Sequence, residues 1–173
     1  TLLIYNKAIT QRNALLKYFS RQRTFNQDQL DVWDDQVVKY GNVLYEKRKQ
    51  LIEQLTPVFQ RYYQQISGGK EQVELVYQSQ LENGDFAGQL KQAYKEDSRR
   101  LFSTVGIHKD DLVFKLSGGQ IKKFGSQGQQ KSYLIALKLA QLEFLKSTVG
   151  INPILLLDDV FDKLDEERVS HIL

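Results

Sequence analysis

The sequence predicts an α+β fold, mainly helical, with long helices, a small antiparallel sheet and one buried strand close to its C-terminal end. Three observations predict it. Apolar side chains recur every three or four residues over several long stretches, a few short runs alternate with a period of two, and "ILLL" at 154–157 is a continuous apolar run ahead of two acids.

Residues 2–19, "LLIYNKAITQRNALLKYF", carry apolar groups at helical spacing with Arg12, Asn13 and Lys17 interleaved, which predicts an amphipathic helix. From Leu30 the pattern runs through Trp33, Val37, Tyr40, Leu44, Leu51, Leu55, Val58 and Tyr62, missing one position near Lys47 and Arg48. That predicts one long helix, on the order of 50 Å at ~1.5 Å per residue. Pro57 should kink or break it, because proline removes a backbone donor and its ring crowds the preceding turn; Gly41 is a second weak point.

"SGG" at Ser67–Gly69 closes this helix, and "EQVELVYQSQ" sets Val73, Leu75 and Tyr77 on one side of a strand. Asn83 and Gly84 make a turn, Asp85 caps the next helix, and Phe86, Leu90, Ala93, Tyr94 and Leu101 form its inner stripe. Leu112, Phe114 and Leu116 alternate in a second strand, Gly118 and Gly119 interrupt, and "QIKKF" resumes an extended stretch, the pattern of a hairpin. After Gly125 the period becomes helical through Tyr133, Leu134, Leu137, Leu139, Ala140, Leu142, Phe144 and Leu145, with Ser126 as cap and Gly150 as terminator. "NPILLLDDVFDKLDEERVSHIL" then reads as a strand buried on both faces, followed by a helix from about Asp165.

With 41% hydrophobic residues, 173 residues can bury a core, and a net charge of +3 diagnoses no particular partner. There is no cysteine, which excludes disulfides and thiolate metal sites; the imidazoles are His108 and His171 alone. No apolar run approaches the ~20 residues that cross a bilayer, and no hydrophobic signal core follows a basic start. A soluble, cytoplasmic protein is expected, with both ends reading as cut.

Two pentapeptides carry the chemistry, LSGGQ at Leu116–Gln120 and SQGQQ at Ser126–Gln130, and either resembles the phosphate-sensing signature of ABC-type ATPases. A signature contacts the γ-phosphate through a serine hydroxyl and backbone amides at a helix start, where unpaired donors and the helix dipole favour an anion. Ser126 precedes a strongly periodic helix, whereas Ser117 precedes an extended segment. SQGQQ is therefore the working motif, and LSGGQ is a hairpin tip whose two glycines serve a tight turn.

"ILLLDD" matches a Walker B strand, in which Asp158 would help hold magnesium and Asp159 would orient or deprotonate the attacking water. A strand running into a polar turn gives the same six residues. Leu164 and Asp165 follow at the spacing of a D-loop.

Together "FGSQGQQKSYLIALKLAQLEFL", "GIHKDDLVFKL", "NPILLLDDVFDKLD" and "QRNALLK" resemble the second half of the RecF family, recombination mediators of the ABC and SMC ATPase superfamily. The resemblance implies an ATP-dependent homodimer that binds double-stranded DNA near gaps and, with other recombination mediator proteins, helps load recombinase onto single strands. It implies that Ser126, Gln127, Gly128 and Gln129 complete the ATP site of the opposite protomer, with Lys131 where the family usually has arginine. Residues 1–148 would be the helical arm and signature lobe, and 149–173 part of the ABC-type nucleotide-binding lobe.

No GxxxxGK[ST] occurs, so the resemblance implies a piece without the Walker A region, one that alone binds ATP weakly and turns none over. It also implies that the chain stops before the family's switch residue; His171 lies too early for that role. His108, Asp110 and Asp111 read as turn and cap groups rather than metal ligands, and Arg99, Arg100, Lys122 and Lys123 as a solvated surface rather than a DNA patch. The stripe of the long helix reads as intramolecular packing. The rival reading is a non-enzymatic helical module for docking proteins.

Overall fold

Helices dominate because the three-and-four spacing persists for most of the chain. The computed structural model describes residues 1–150, 152–156 and 168–170, with elements α1 (Leu2–Gln22), α2 (Gln27–Ser67), β1 (Val73–Gln78), α3 (Phe86–Arg100), β2 (Asp111–Leu116), β3 (Gly119–Gln120), α4 (Ile121–Phe124) and α5 (Gln127–Val149). Two compact units divide these, one from Thr1–Lys49 with Tyr77–Asp111, the other from Gln50–Val76 with the described residues from Leu112 on. Among the described residues no helix is long and apolar enough to cross a membrane.

In the first unit α1 buries Tyr5, Ala8, Arg12, Leu16 and Phe19, a single stripe at steps of three and four. Tyr5 and Ala8 share a core with Val37 of α2, Leu81, Phe86 and Leu90 of α3, and Ile107, while Leu16 and Phe19 meet Leu30. Gly41 is no weak point. A Cβ there would lie 2.6 Å from Cε1 of Phe86 and 3.2 Å from Cε2 of Tyr5, so the glycine makes room for two rings. Asp85 caps α3 as expected, its Oδ1 accepting the Gly88 amide at 3.0 Å.

Arg12, which the sequence interleaves with the apolar groups of α1 as a polar residue, is fully buried. Its Nε donates to Asp34 Oδ1 at 2.6 Å, and its Nη1 donates to Asp97 Oδ2 at 2.6 Å and to Ser103 Oγ at 2.8 Å. Asp97, also fully buried, accepts the Thr104 amide at 2.7 Å on its other oxygen. A buried charge persists only when paired and hydrogen-bonded, and here α2, α3 and the loop after α3 supply the partners. Burial pulls the Asp34 carboxyl above its ordinary range, against the opposing charge and hydrogen bond of Arg12.

His108 belongs to the same unit. Its Nε2 lies 3.0 Å from the Ser103 carbonyl, which can only accept, so Nε2 carries the proton and Nδ1 accepts the Tyr5 hydroxyl at 3.0 Å. Burial is the largest influence on the imidazole and lowers its pKa below the ordinary value. A lowered folded pKa means that the unfolded chain takes up the proton first. The contribution to stability is therefore complete above the unfolded pKa of about 6.5 and is lost as pH falls through the folded value. Urea midpoints should drop between pH 7.5 and 5.5, and His108→Gln should flatten that dependence; an unchanged slope in the variant would refute the assignment. Asp110 is engaged elsewhere, accepting from Arg48 Nη1 at 2.9 Å and from the Tyr77 hydroxyl.

The second unit is built on the C-terminal part of α2, the sheet and α5. Leu55, Phe59, Tyr63 and Ile66 form a ridge of α2 that meets Val73 and Leu75 of β1, Leu116, Ile121, and Tyr133, Ile135, Ala136 and Ala140 of α5. The Tyr133 ring lies 4.6 Å from Phe59, 5.8 Å from Tyr63 and 5.7 Å from Phe114, and its hydroxyl donates to the Glu74 carbonyl at 2.8 Å. This anchors α5 on the sheet. The strand order is β1-β2-β3, with β2 and β3 antiparallel and Lys115 opposite Gln120 and Leu116 opposite Gly119.

Three further readings of the sequence need correction. Helix α2 runs unbroken through Pro57; Pro57 and Glu53, whose carbonyl loses its amide partner, are both exposed residues, where solvent can replace the lost bond. "IKKF" is a helical turn rather than a strand: Ile121 and Phe124 are three apart, the Gly125 amide donates to the Ile121 carbonyl at 2.8 Å, and the β3 ladder ends after Gln120. Residues 152–156 form no strand, and Ile154 and Leu156 are each 88% exposed. A strand buried on both faces needs paired neighbours and covering helices, and the described residues supply neither at this position.

Candidate signature site at the N-terminus of α5

Helix α5 starts where Gly125 lets the chain turn tightly out of α4. A Cβ on Gly125 would sit 2.8 Å from the Ile121 carbonyl oxygen. Ser126 follows with extended backbone, φ −61° and ψ 164°, and closes a reciprocal capping box. Its Oγ accepts the Gln129 amide at 3.2 Å, and Gln129 Oε1 accepts the Ser126 amide at 2.7 Å. The Gln130 amide already bonds the Ser126 carbonyl at 2.9 Å, which leaves the amides of Gln127 and Gly128 ahead of the first intrahelical bonds. Ser126 and Gln127 are exposed. One hydroxyl and two amides thus converge at the positive end of a long helix, a donor set suited to a phosphate oxygen.

LSGGQ has a different setting. Ser117 and Gly118 are the two central residues of the β2–β3 turn, with φ 47° and 82°, the doubly left-handed pairing of a type I′ hairpin. The Ser117 amide is spent on the Gln72 carbonyl at 2.8 Å. With β3 and then a single helical turn behind it, Ser117 has no helix dipole of consequence.

The structure brings Ser126, Gln127, Gly128 and Gln129 together, with Lys131 one turn on. Asp158, Asp159, Leu164 and Asp165 lie outside the described residues. Sequence reasoning missed the support beneath the cap. Glu71 accepts from Gln129 Nε2 at 2.9 Å, from Arg168 Nη2 at 2.8 Å and from the Tyr63 hydroxyl, while Arg168 Nη1 reaches Ser132 Oγ at 3.1 Å. Burial pulls the Glu71 carboxyl upward, but the hydrogen bonds from Gln129, Tyr63 and Arg168 and the charge of Arg168 outweigh it, and its pKa is lowered. Nothing in the local pattern marks these residues, because the network is assembled from distant segments.

No protein-family model matches the chain. It is 51% identical over 172 residues to the DNA replication and repair protein RecF of Flavobacterium johnsoniae, covering 99% of this chain and 48% of that protein. The RecF of Parabacteroides distasonis is 48% identical over 172 residues, with 99% and 46% covered. The chain belongs to the RecF family. Among solved structures, one of the recombination mediator protein RecF-ATP in the RecFOR pathway superposes with a TM-score of 0.85 at 30% identity, covering 99% of this chain and 48% of that one. Another, of RecF-ATPrS in the same pathway, gives a TM-score of 0.85 at 29% identity, with 96% and 47% covered. The fold is therefore that of RecF over this region, and the chain spans about half the length of the RecF relatives it matches.

Proposed function

We propose that this chain is the signature-bearing part of an ATP-dependent DNA-repair dimer that binds double-stranded DNA at gaps and helps load recombinase onto single strands. In this reading residues 1–148 are the arm and signature lobe and 149–173 belong to the nucleotide-binding lobe. Ser126, Gln127, Gly128, Gln129 and Lys131 complete the partner protomer's ATP site, Asp158 helps hold Mg2+, Asp159 acts on the attacking water, and Leu164 and Asp165 lie in the D-loop. The observation that carries the reading is the capped start of α5, whose hydroxyl and two amides suit an anion and whose sequence is SQGQQ. Likeness to relatives named as DNA replication and repair proteins, and to a structure of RecF-ATP, supports it over the docking-module alternative.

ATP supplies the γ-phosphate that a signature senses. Ser126 would donate its hydroxyl hydrogen, and Gln127 and Gly128 their amide hydrogens, to oxygens presented by the other protomer. Such donors act only when the dimer closes, which ties assembly to the nucleotide.

The paired acids test this reading in the intact protein. Asp158→Asn should weaken magnesium-dependent nucleotide binding, because a carboxylate on the metal is lost. Asp159→Asn should spare binding, slow hydrolysis and leave ATP-bound dimers to accumulate. Equal loss of nucleotide binding in both variants, measured by calorimetry with Mg2+, would contradict the division of roles.

A further inference from the structure

The signature cap hangs on one amide group, and that group is fixed from both sides. Gln129 Oε1 accepts the Ser126 amide at 2.7 Å, and Gln129 Nε2 donates to Glu71 at 2.9 Å. A carboxylate only accepts, so Glu71 dictates which way the Gln129 amide faces: its nitrogen must point at Glu71, and its oxygen is thereby held on Ser126. Glu71 is itself held. Tyr63 of α2 and Arg168 donate to it, and the next residue, Gln72, accepts the Ser117 amide at 2.8 Å, which ties the segment to the sheet. Arg168 reaches α5 a second time through Ser132 Oγ at 3.1 Å.

We propose that Glu71 is a positioning residue for nucleotide sensing: by orienting the Gln129 amide it holds Ser126 and the Gln127 and Gly128 amides in the geometry that meets the partner's phosphate. Arg168 is the group through which the segment at 168–170 bears on that geometry. The inference deepens the signature reading and rests on it.

A mutant cycle in the intact protein tests it, with ATP-induced dimerisation read by light scattering and ATP binding to the monomer read by calorimetry. Glu71→Ala should weaken dimerisation about tenfold, the size of one lost hydrogen bond to a charged group, at unchanged monomer affinity for ATP. In a Gln129→Ala background the same substitution should add no more than about twofold, because its effect runs through Gln129. A merely structural Glu71 would cost as much in either background, and that outcome, or loss of monomer ATP binding in Glu71→Ala, overturns the proposal. A Ser126→Arg arm separates the two levels. If Ser126→Arg abolishes dimerisation while Glu71→Ala is silent, only the role of Glu71 fails; if Ser126→Arg is silent, the signature reading fails with it.

Discussion

Replacing Arg12 with alanine is expected to destabilise the first unit by about 3–5 kcal/mol, the cost of removing one partner from a buried ionic network. The reason lies in what remains. Asp97 is fully buried and Asp34 is partly buried, its side chain 13% exposed, and without the guanidinium two carboxylates share a site that is dry at Asp97. The lost alkyl stem adds a cavity in the stripe between Ala8 and Leu16. Pairing Arg12→Met with Asp97→Asn should recover part of the loss, since it fills the space and removes the more deeply buried of the two uncompensated charges, that of Asp97, leaving Asp34 at the edge of the site. Urea unfolding followed through Trp33, the chain's single tryptophan, reports on this directly because Trp33 packs against the same unit's core. A loss below about 1 kcal/mol for Arg12→Ala, the size of an exposed pair, would show that the network is solvated.

Arg12 also marks where the sequence was and was not legible. Its position falls on the stripe of Tyr5, Ala8, Leu16 and Phe19, so spacing alone assigns it inward, but its charge argued outward. The charge of Arg12 is compensated by Asp34 and Asp97, 22 and 85 residues away, which no local pattern reveals. The same holds for Glu71, which meets Gln129 across 58 residues and Arg168 across 97. Features decided within one turn were readable: the Asp85 cap, the Ser126 cap, the stop at Gly150, and LSGGQ as a hairpin tip, although the turn falls on Ser117 and Gly118 rather than on the glycine pair Gly118 and Gly119. Intermediate cases failed for physical reasons. Proline did not break α2, where Pro57 and Glu53 lie on an exposed part of the helix, and "IKKF" became a helical turn, its two apolar residues three apart rather than two. At 152–156 the expected strand depended on neighbours that the described residues do not provide.

Ser126→Arg is expected to abolish ATP-induced dimerisation of the intact protein, and with it hydrolysis, while leaving ATP binding by the monomer nearly unchanged. The arginine would place a long charged side chain over the amides of Gln127 and Gly128, at the point where the partner's nucleotide must approach. It also removes the cap on Gln129, worth about 1 kcal/mol to the helix start, too little to unfold α5 with Tyr133 anchoring it. Ser117→Arg is the matched control. Ser117 is exposed at a hairpin tip and already adopts a left-handed backbone with a Cβ, so the larger side chain adds no backbone cost and stability should stay within about half a kcal/mol. Light scattering of both variants with and without ATP is the most direct measurement of whether SQGQQ or LSGGQ senses the nucleotide. Ser117→Arg should dimerise with ATP and Ser126→Arg should not; dimerisation lost in Ser117→Arg and retained in Ser126→Arg would make LSGGQ, not SQGQQ, the sensor.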